Sequence, residues 1–85
     1  MLQARFRADD QPPRVGYTAS KKIGNAVARN LAKRRLRAAV HAALLPVAQV
    51  GWDYVLVARP QATITRSFAD LVADLRQALR AIHPA

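Results

Sequence analysis

The sequence predicts a small α+β sandwich whose elements follow the order strand, strand, helix, strand, helix. Two N-terminal segments alternate apolar and polar residues with the period of a half-buried strand, and residues 52–58 are almost continuously apolar. Two further segments, which follow Asn25 and Ser67, place their apolar residues on one helical face. The 85 residues are enough for one domain, residues 1–85, with a single modest core.

The first two strands are predicted over residues 2–8 and 14–20. In the first, Phe6 is most simply a core residue, and base stacking is the alternative if that face of the sheet is open. Residues 9–13 include two prolines, which predicts a turn, here the loop of a hairpin. In the second strand, Gly16 marks either a close approach by a helix or an RNA backbone or a β-bulge.

A basic helix is predicted from Ala26 until Pro46, and Asn25 is expected to cap it by accepting a hydrogen bond from its first turn. At about 100° per residue, one face of this helix is apolar and would be buried. That face consists of Ala28, Ala32, Leu36, Ala39, Val40 and Ala43. The opposite face is polar or basic and consists of Asn30, Lys33, Arg34, Arg37 and His41, with Arg29 and Arg35 on its flanks.

The charge of this region favours an external polyanion. Residues 20–37 contain seven of the fourteen Lys and Arg residues, and no acidic residue occurs between Asp10 and Asp53. A helix face that is merely solvated usually alternates acids with bases, because like charges at four-residue spacing destabilise a helix. The net charge of +9 therefore predicts nucleic-acid binding that weakens as salt rises.

The second half of the chain is expected to be scaffold. Residues 52–58 predict a central strand buried on both faces, in which Trp52 and Tyr54 pack rather than stack on bases. Residues 61–66 predict a loop. Ser67, with Asp70 three residues later, is expected to cap a final helix whose apolar stripe faces the core.

The residues needed for a protein-based active site are missing. The chain has no cysteine and no Glu, its five Asp residues are scattered, and His41 and His83 lack the spacing of metal ligands. Gly24 stands alone, without the pattern of a phosphate-binding loop. No apolar run is long enough to span a membrane and the N-terminus lacks a signal-peptide core, so a cytoplasmic protein without membrane contact is expected.

Residues 14–37, RVGYTASKKIGNAVARNLAKRRLR, closely resemble the signature of the bacterial ribonuclease P protein subunit, and DYVLVAR at 53–59 resembles its later strand. The resemblance covers residues 1–83. It implies an α/β sandwich of order β-β-α-β-α with a left-handed β-α-β crossover. It also implies a noncatalytic subunit that helps a catalytic RNA to remove the 5′ leader of precursor tRNA. The expected cofactor is Mg²⁺ bound mainly by that RNA, with none bound by the protein alone.

The resemblance also implies site residues. Those that would contact the catalytic RNA are Lys21, Lys22, Asn25, Arg29, Asn30, Lys33, Arg34 and Arg37. Phe6 and Tyr17 are the candidates for the leader. Leu31 departs from the family, which has Arg there, and Arg35 is expected to replace the missing contact in part.

A second departure is that the chain starts at the first strand, without the family's basic and aromatic N-terminal helix. Leader binding is therefore less expected than binding of the catalytic RNA. The uncovered sheet surface would favour dimerisation, and the oligomeric state stays open. The other functions open at this point are a structural RNA-binding module of ribosomal-protein type, a DNA-binding protein and an autonomous nuclease.

Overall fold

The structure is a computed structural model that describes residues 1–84. Its three strands are β1 (Leu2–Phe6), β2 (Arg14–Thr18) and β3 (Trp52–Val57). Its α-helices are α1 (Ala26–Ala39), α2 (Ala62–Thr65) and α3 (Phe68–Ile82), with a 3₁₀ turn at Lys21–Ile23 and a π turn at Val40–Leu44. The predicted α+β order is confirmed. The predicted loop at 61–66 is wrong, because its residues form the short helix α2.

The sheet has the strand order β1-β3-β2, so β3 is the central strand, as predicted. β1 runs antiparallel to β3, with Phe6 opposite Trp52, and β2 runs parallel to β3, with Tyr17 opposite Leu56. β1 and β2 are therefore not a hairpin, and that prediction is wrong. The strongly apolar β3 lies between them, and α1 connects the parallel strands β2 and β3.

The two faces of the sheet differ in burial. Tyr54 and Leu56 point to the helices and are 0% and 3% exposed, whereas Val55 and Val57 on the outward face are only half-buried. The prediction that β3 is buried on both faces therefore holds for the helix side alone.

The core lies between the sheet and the apolar stripes of α1 and α3. Both stripes are confirmed in their centres, since Leu36 of α1 and Leu75 of α3 are buried in the same cluster. Phe68, predicted as the first residue of the α3 stripe, is 43% exposed, so that part of the prediction is wrong. Both predicted caps are confirmed as well. The Asn25 side chain accepts from Ala28 N at 3.0 Å, and the Ser67 side chain accepts from Asp70 N at 3.1 Å. These contacts fix where α1 and α3 begin.

The π turn extends α1 and rotates its last residues. Leu45 N donates to the carbonyl of Val40, five residues earlier, at 3.0 Å, which is the hydrogen bond of a π-helix. Leu44 is consequently completely buried, although the apolar stripe predicted from the sequence did not include it.

Arg7 ties the segment between β1 and β2 to β3. Its guanidinium forms ion pairs with Asp9 and Asp53 and donates to the carbonyl of Pro12, and its side chain is only 6% exposed. Arg14 also donates to Asp53, at 2.9 Å, from a side chain that is 71% exposed. Asp53, on the central strand β3, thus binds one arginine that follows β1 and one arginine of β2.

Asp53 predicts how stability depends on acid pH. Burial alone would raise its pKa, but the hydrogen bonds from Arg7 and Arg14 outweigh burial and hold the pKa below the ordinary 3.8. A carboxylate with a depressed folded-state pKa contributes stability above its unfolded pKa and loses it as pH falls through the folded value. We expect the melting temperature to decrease when the pH is lowered below about 5. The decrease should be smaller in the Asp53→Asn variant.

The matched control is Asp10→Asn, since the exposed Asp10 pairs with no arginine in residues 1–84. It should show the wild-type profile of melting temperature against pH. A profile for Asp53→Asn as steep as that of the wild type would contradict the assigned role of Asp53.

Candidate nucleic-acid interface

The turn before α1 brings positive charge to the N-terminus of a helix. Lys21 and Lys22 are exposed in the 3₁₀ turn, and the Ser20 side chain accepts from Lys22 N at 3.3 Å. Gly24 then adopts a φ of +139°, and a Cβ at this position would lie 3.1 Å from that of Ala28, so glycine is favoured here. The turn therefore places two lysines where helix amides already favour anions.

We define the basic surface as the cations of this turn and of the solvent side of α1. Its members are Lys21, Lys22, Arg29, Lys33, Arg34 and Arg37. Arg34 and Arg37 are exposed, while Arg29 and Lys33 are half-buried. The ion pairs within residues 1–84 all use other cations, so the basic surface has no acidic partner there. Its guanidinium and ammonium donors are available to phosphate oxygens.

The two asparagines predicted at the interface differ in the hydrogen bonds that their side chains already make. Asn30 is exposed on the same side of α1 as the basic surface. Asn25 is also exposed, but its side-chain oxygen is engaged by Ala28 N in the helix cap. The side-chain NH₂ of Asn25 is the group that can donate to an RNA oxygen.

Arg35 does not extend the basic surface, which corrects the prediction that it replaces the contact missing at Leu31. Its Nε donates to the carbonyl of Thr63 at 2.9 Å, and a second nitrogen donates to the carbonyl of Arg66. These carbonyls lie in α2 and at its C-terminal end. Arg35 therefore joins α1 to α2, and Leu31 is half-buried with no cation in its place.

Phe6 and Tyr17, the leader candidates, both point to the helix side of the sheet, but the structure does not bring them together. Their partners Trp52 and Leu56 are four residues apart on β3, about 13 Å along a strand. Phe6 is 57% exposed and lies 5.4 Å from the Trp52 ring, so its assignment to the core is wrong.

Tyr17 is half-buried beside the core, and the guanidinium carbon of Arg37 lies 5.3 Å from its ring centroid. Burial raises the pKa of Tyr17 above the ordinary 10.0, although Arg37 opposes that shift. The hydroxyl is therefore neutral at physiological pH. This contact was not visible in the sequence, since it joins residues of different elements.

Tyr54 and Trp52 pack, as predicted, in a cluster with His83. The Tyr54 hydroxyl lies 2.6 Å from Nε2 of His83 and accepts from Gln49 N at 3.1 Å. The Trp52 ring lies 4.7 Å from the His83 ring. This cluster holds the end of α3 against β3, a role of His83 that was not predicted from the sequence.

The outward face of the sheet is accessible and partly basic. Arg5 and Arg14 lie on either side of Asp53 and are exposed. A Cβ built on Gly16 would meet only a methyl group of Val55, at 4.0 Å. The face is thus open at Gly16, and its two exposed arginines flank the carboxylate of Asp53, to which Arg14 donates.

Residues 1–84 contain neither a cluster of metal-ligating side chains nor a helix that could span a membrane. No group of three or more His, Cys, Asp and Glu side chains in this range is arranged to hold a metal ion. None of the helices in this range combines the length and the apolarity that crossing a membrane requires.

The fold and the basic surface define the class: a small α+β sandwich that exposes one acid-free basic helix. The family model described as Ribonuclease P matches residues 1–83. The chain therefore belongs to the ribonuclease P protein family, which confirms the resemblance found in residues 14–37.

Individual relatives support this family assignment. The ribonuclease P protein component of Ruegeria pomeroyi is 54% identical over 85 residues, which cover 98% of this chain and 68% of the relative. That of Caulobacter vibrioides is 52% identical over 79 residues, which cover 92% of this chain and 52% of the relative. The matches thus leave a third to a half of these relatives unmatched.

Solved structures show the same fold. The RNase P protein from Thermotoga maritima superposes with a TM-score of 0.77 at 25% identity, covering 96% of this chain and 76% of that one. The Staphylococcus aureus RNase P protein gives 0.72 at 24% identity, covering 96% and 72%. The small α+β sandwich is thereby confirmed.

Proposed function

We propose that this chain is the RNA-binding subunit of ribonuclease P and assists the catalytic RNA in cleaving the 5′ leader from precursor tRNA. The observation that carries the proposal is the basic surface, which has no acidic partner within residues 1–84, in a chain of this family. The chemistry belongs to the RNA and to Mg²⁺ bound mainly by it, and the protein alone holds no cofactor. The complex works in the cytoplasm, without membrane contact.

The proposed mechanism is electrostatic. Two large polyanions repel each other, and a row of cations between them lowers that repulsion and releases counterions. Arg29 and Arg37 can each hold a phosphate with paired N–H donors, whereas Lys33 acts as a point charge. Lys21 and Lys22 add charge at the helix N-terminus, where amide groups also point at the ligand. The contacts therefore bind backbone rather than base sequence.

Phe6 and Tyr17 are the candidates for contacts with the single-stranded leader. Phe6 has the more accessible ring, on which an unpaired base can stack. Leader binding is a separate part of the proposal, because it uses the sheet rather than α1.

Reconstitution tests the function. We expect the protein to speed precursor tRNA cleavage by ribonuclease P catalytic RNA about tenfold or more, roughly 1.4 kcal/mol of transition-state free energy. The assay uses Mg²⁺ too dilute for the RNA alone, because the protein replaces part of the screening that Mg²⁺ provides. The measurement is the single-turnover cleavage rate with and without protein.

Controls separate the alternatives. Tight RNA binding without faster cleavage would indicate a structural module of ribosomal-protein type. Cleavage by the protein without RNA would indicate an autonomous nuclease. Equal competition by duplex DNA and structured RNA would point to a protein that does not distinguish the two.

A further inference from the structure

Tyr17 and Arg37 contact each other between β2 and α1. The guanidinium carbon of Arg37 lies 5.3 Å from the Tyr17 ring centroid, within the range of a cation–π contact. Tyr17 is half-buried on the helix side of the sheet, whereas Arg37 is exposed in the last turn of α1. A ring anchored in the scaffold thus supports a cation of the basic surface.

This contact leaves the hydrogen-bonding capacity of Arg37 free. A guanidinium carries five N–H donors in its plane, and an acidic partner would occupy some of them. An aromatic face attracts the positive charge without accepting those in-plane hydrogens. Arg35 shows the opposite case on the same helix, because its donors are engaged by the carbonyls of Thr63 and Arg66.

We propose that Tyr17 is a positioning residue that holds the Arg37 guanidinium ready for an RNA phosphate. The inference rests on the proposed function of the basic surface. A long cationic side chain loses rotamer freedom when it binds, and one that is already held loses less. Tyr17 thereby raises RNA affinity through Arg37, while its own hydroxyl takes no part.

The test is a double-mutant cycle on binding to ribonuclease P catalytic RNA. It compares wild type, Tyr17→Leu, Arg37→Ala and the double variant, with Tyr17→Phe as the variant that keeps the ring. We expect Tyr17→Leu to raise Kd about twofold to fivefold, which corresponds to the cost of ordering one long side chain that is not held before binding. Tyr17→Phe should bind as wild type, and Tyr17→Leu should have no further effect once Arg37 is alanine.

Salt dependence adds a readout that a purely structural role would not change. Arg37→Ala should lower the slope of log K against log salt by about one phosphate contact. Tyr17→Leu should leave that slope nearly unchanged, because the charge remains. The proposal would be overturned if Tyr17→Leu caused an equal loss of RNA affinity with and without Arg37. It would also be overturned if Tyr17→Phe lost RNA affinity.

Urea unfolding of the same variants measures the Tyr17–Arg37 coupling without RNA, and zero coupling would also overturn the proposal. If the basic surface does not bind the catalytic RNA, the variants should give a different set of results. In that case Arg37→Ala leaves both affinity and salt slope unchanged although the coupling is present, and the positioning role falls together with the interface. If Arg37→Ala weakens binding and Tyr17→Leu does not, only the role of Tyr17 is lost.

Discussion

Replacing Arg29, Lys33 and Arg37 together with alanine is expected to weaken binding to the catalytic RNA on the order of 100-fold, since each of the three contacts contributes about 1 kcal/mol. The three residues are spaced four apart on α1 and have no acidic partner in residues 1–84. Fewer phosphates are then neutralised, so the slope of log K against log salt should fall by roughly two to three. Kd measured at several salt concentrations gives both quantities.

The matched control is the triple alanine variant of Arg59, Arg76 and Arg80. These arginines are exposed but lie outside the basic surface. Either triple variant removes three positive charges and lowers the net charge from +9 to +6. If net charge alone controls binding, the two variants will lose equal affinity and equal slope, and α1 is not the interface. Circular dichroism of both variants verifies that α1 still forms.

The basic surface was predictable because its determinants are local. The Asn25 cap, the apolar stripe of α1 and the lack of nearby acids can all be found within about twenty consecutive residues. Helix periodicity alone then separates the buried face from the charged one. The strand period likewise placed Phe6 on the helix side of β1, but it could not show that the ring stays 57% exposed there.

The predictions that proved wrong concern contacts between residues far apart in the sequence. The prolines at 9–13 predicted a hairpin, whereas β3 lies between β1 and β2 in the sheet. The Arg7–Asp53 ion pair, which connects that segment to β3, joins residues 46 positions apart. Arg35 belongs to the same charge run as its neighbours, and only the carbonyls of α2 distinguish it. No pattern within one segment contains these partners, so the sequence could not separate Arg35 from the interface.

Leu44→Ala is expected to lower the free energy of unfolding by about 2–5 kcal/mol, because it leaves a cavity in a core that cannot fully collapse. Leu44 is 0% exposed and belongs to the cluster shared by α1, α3 and the sheet. In a regular α-helix it would lie about 80° around the axis from Leu36, at the edge of the apolar stripe. The π turn moves it inward. Urea unfolding followed by the fluorescence of the single tryptophan, Trp52, measures the loss.

The adjacent Leu45 provides the matched control, with the same side chain one position later and 46% exposed. Leu45→Ala should change the free energy of unfolding by only about 0.5 kcal/mol, as is usual at surface sites. The contrast depends on the π turn, because the hydrogen bond from Leu45 N to the carbonyl of Val40 directs Leu44 to the core. Equal losses for the two variants would mean that α1 ends differently, and the burial assigned to Leu44 would be wrong.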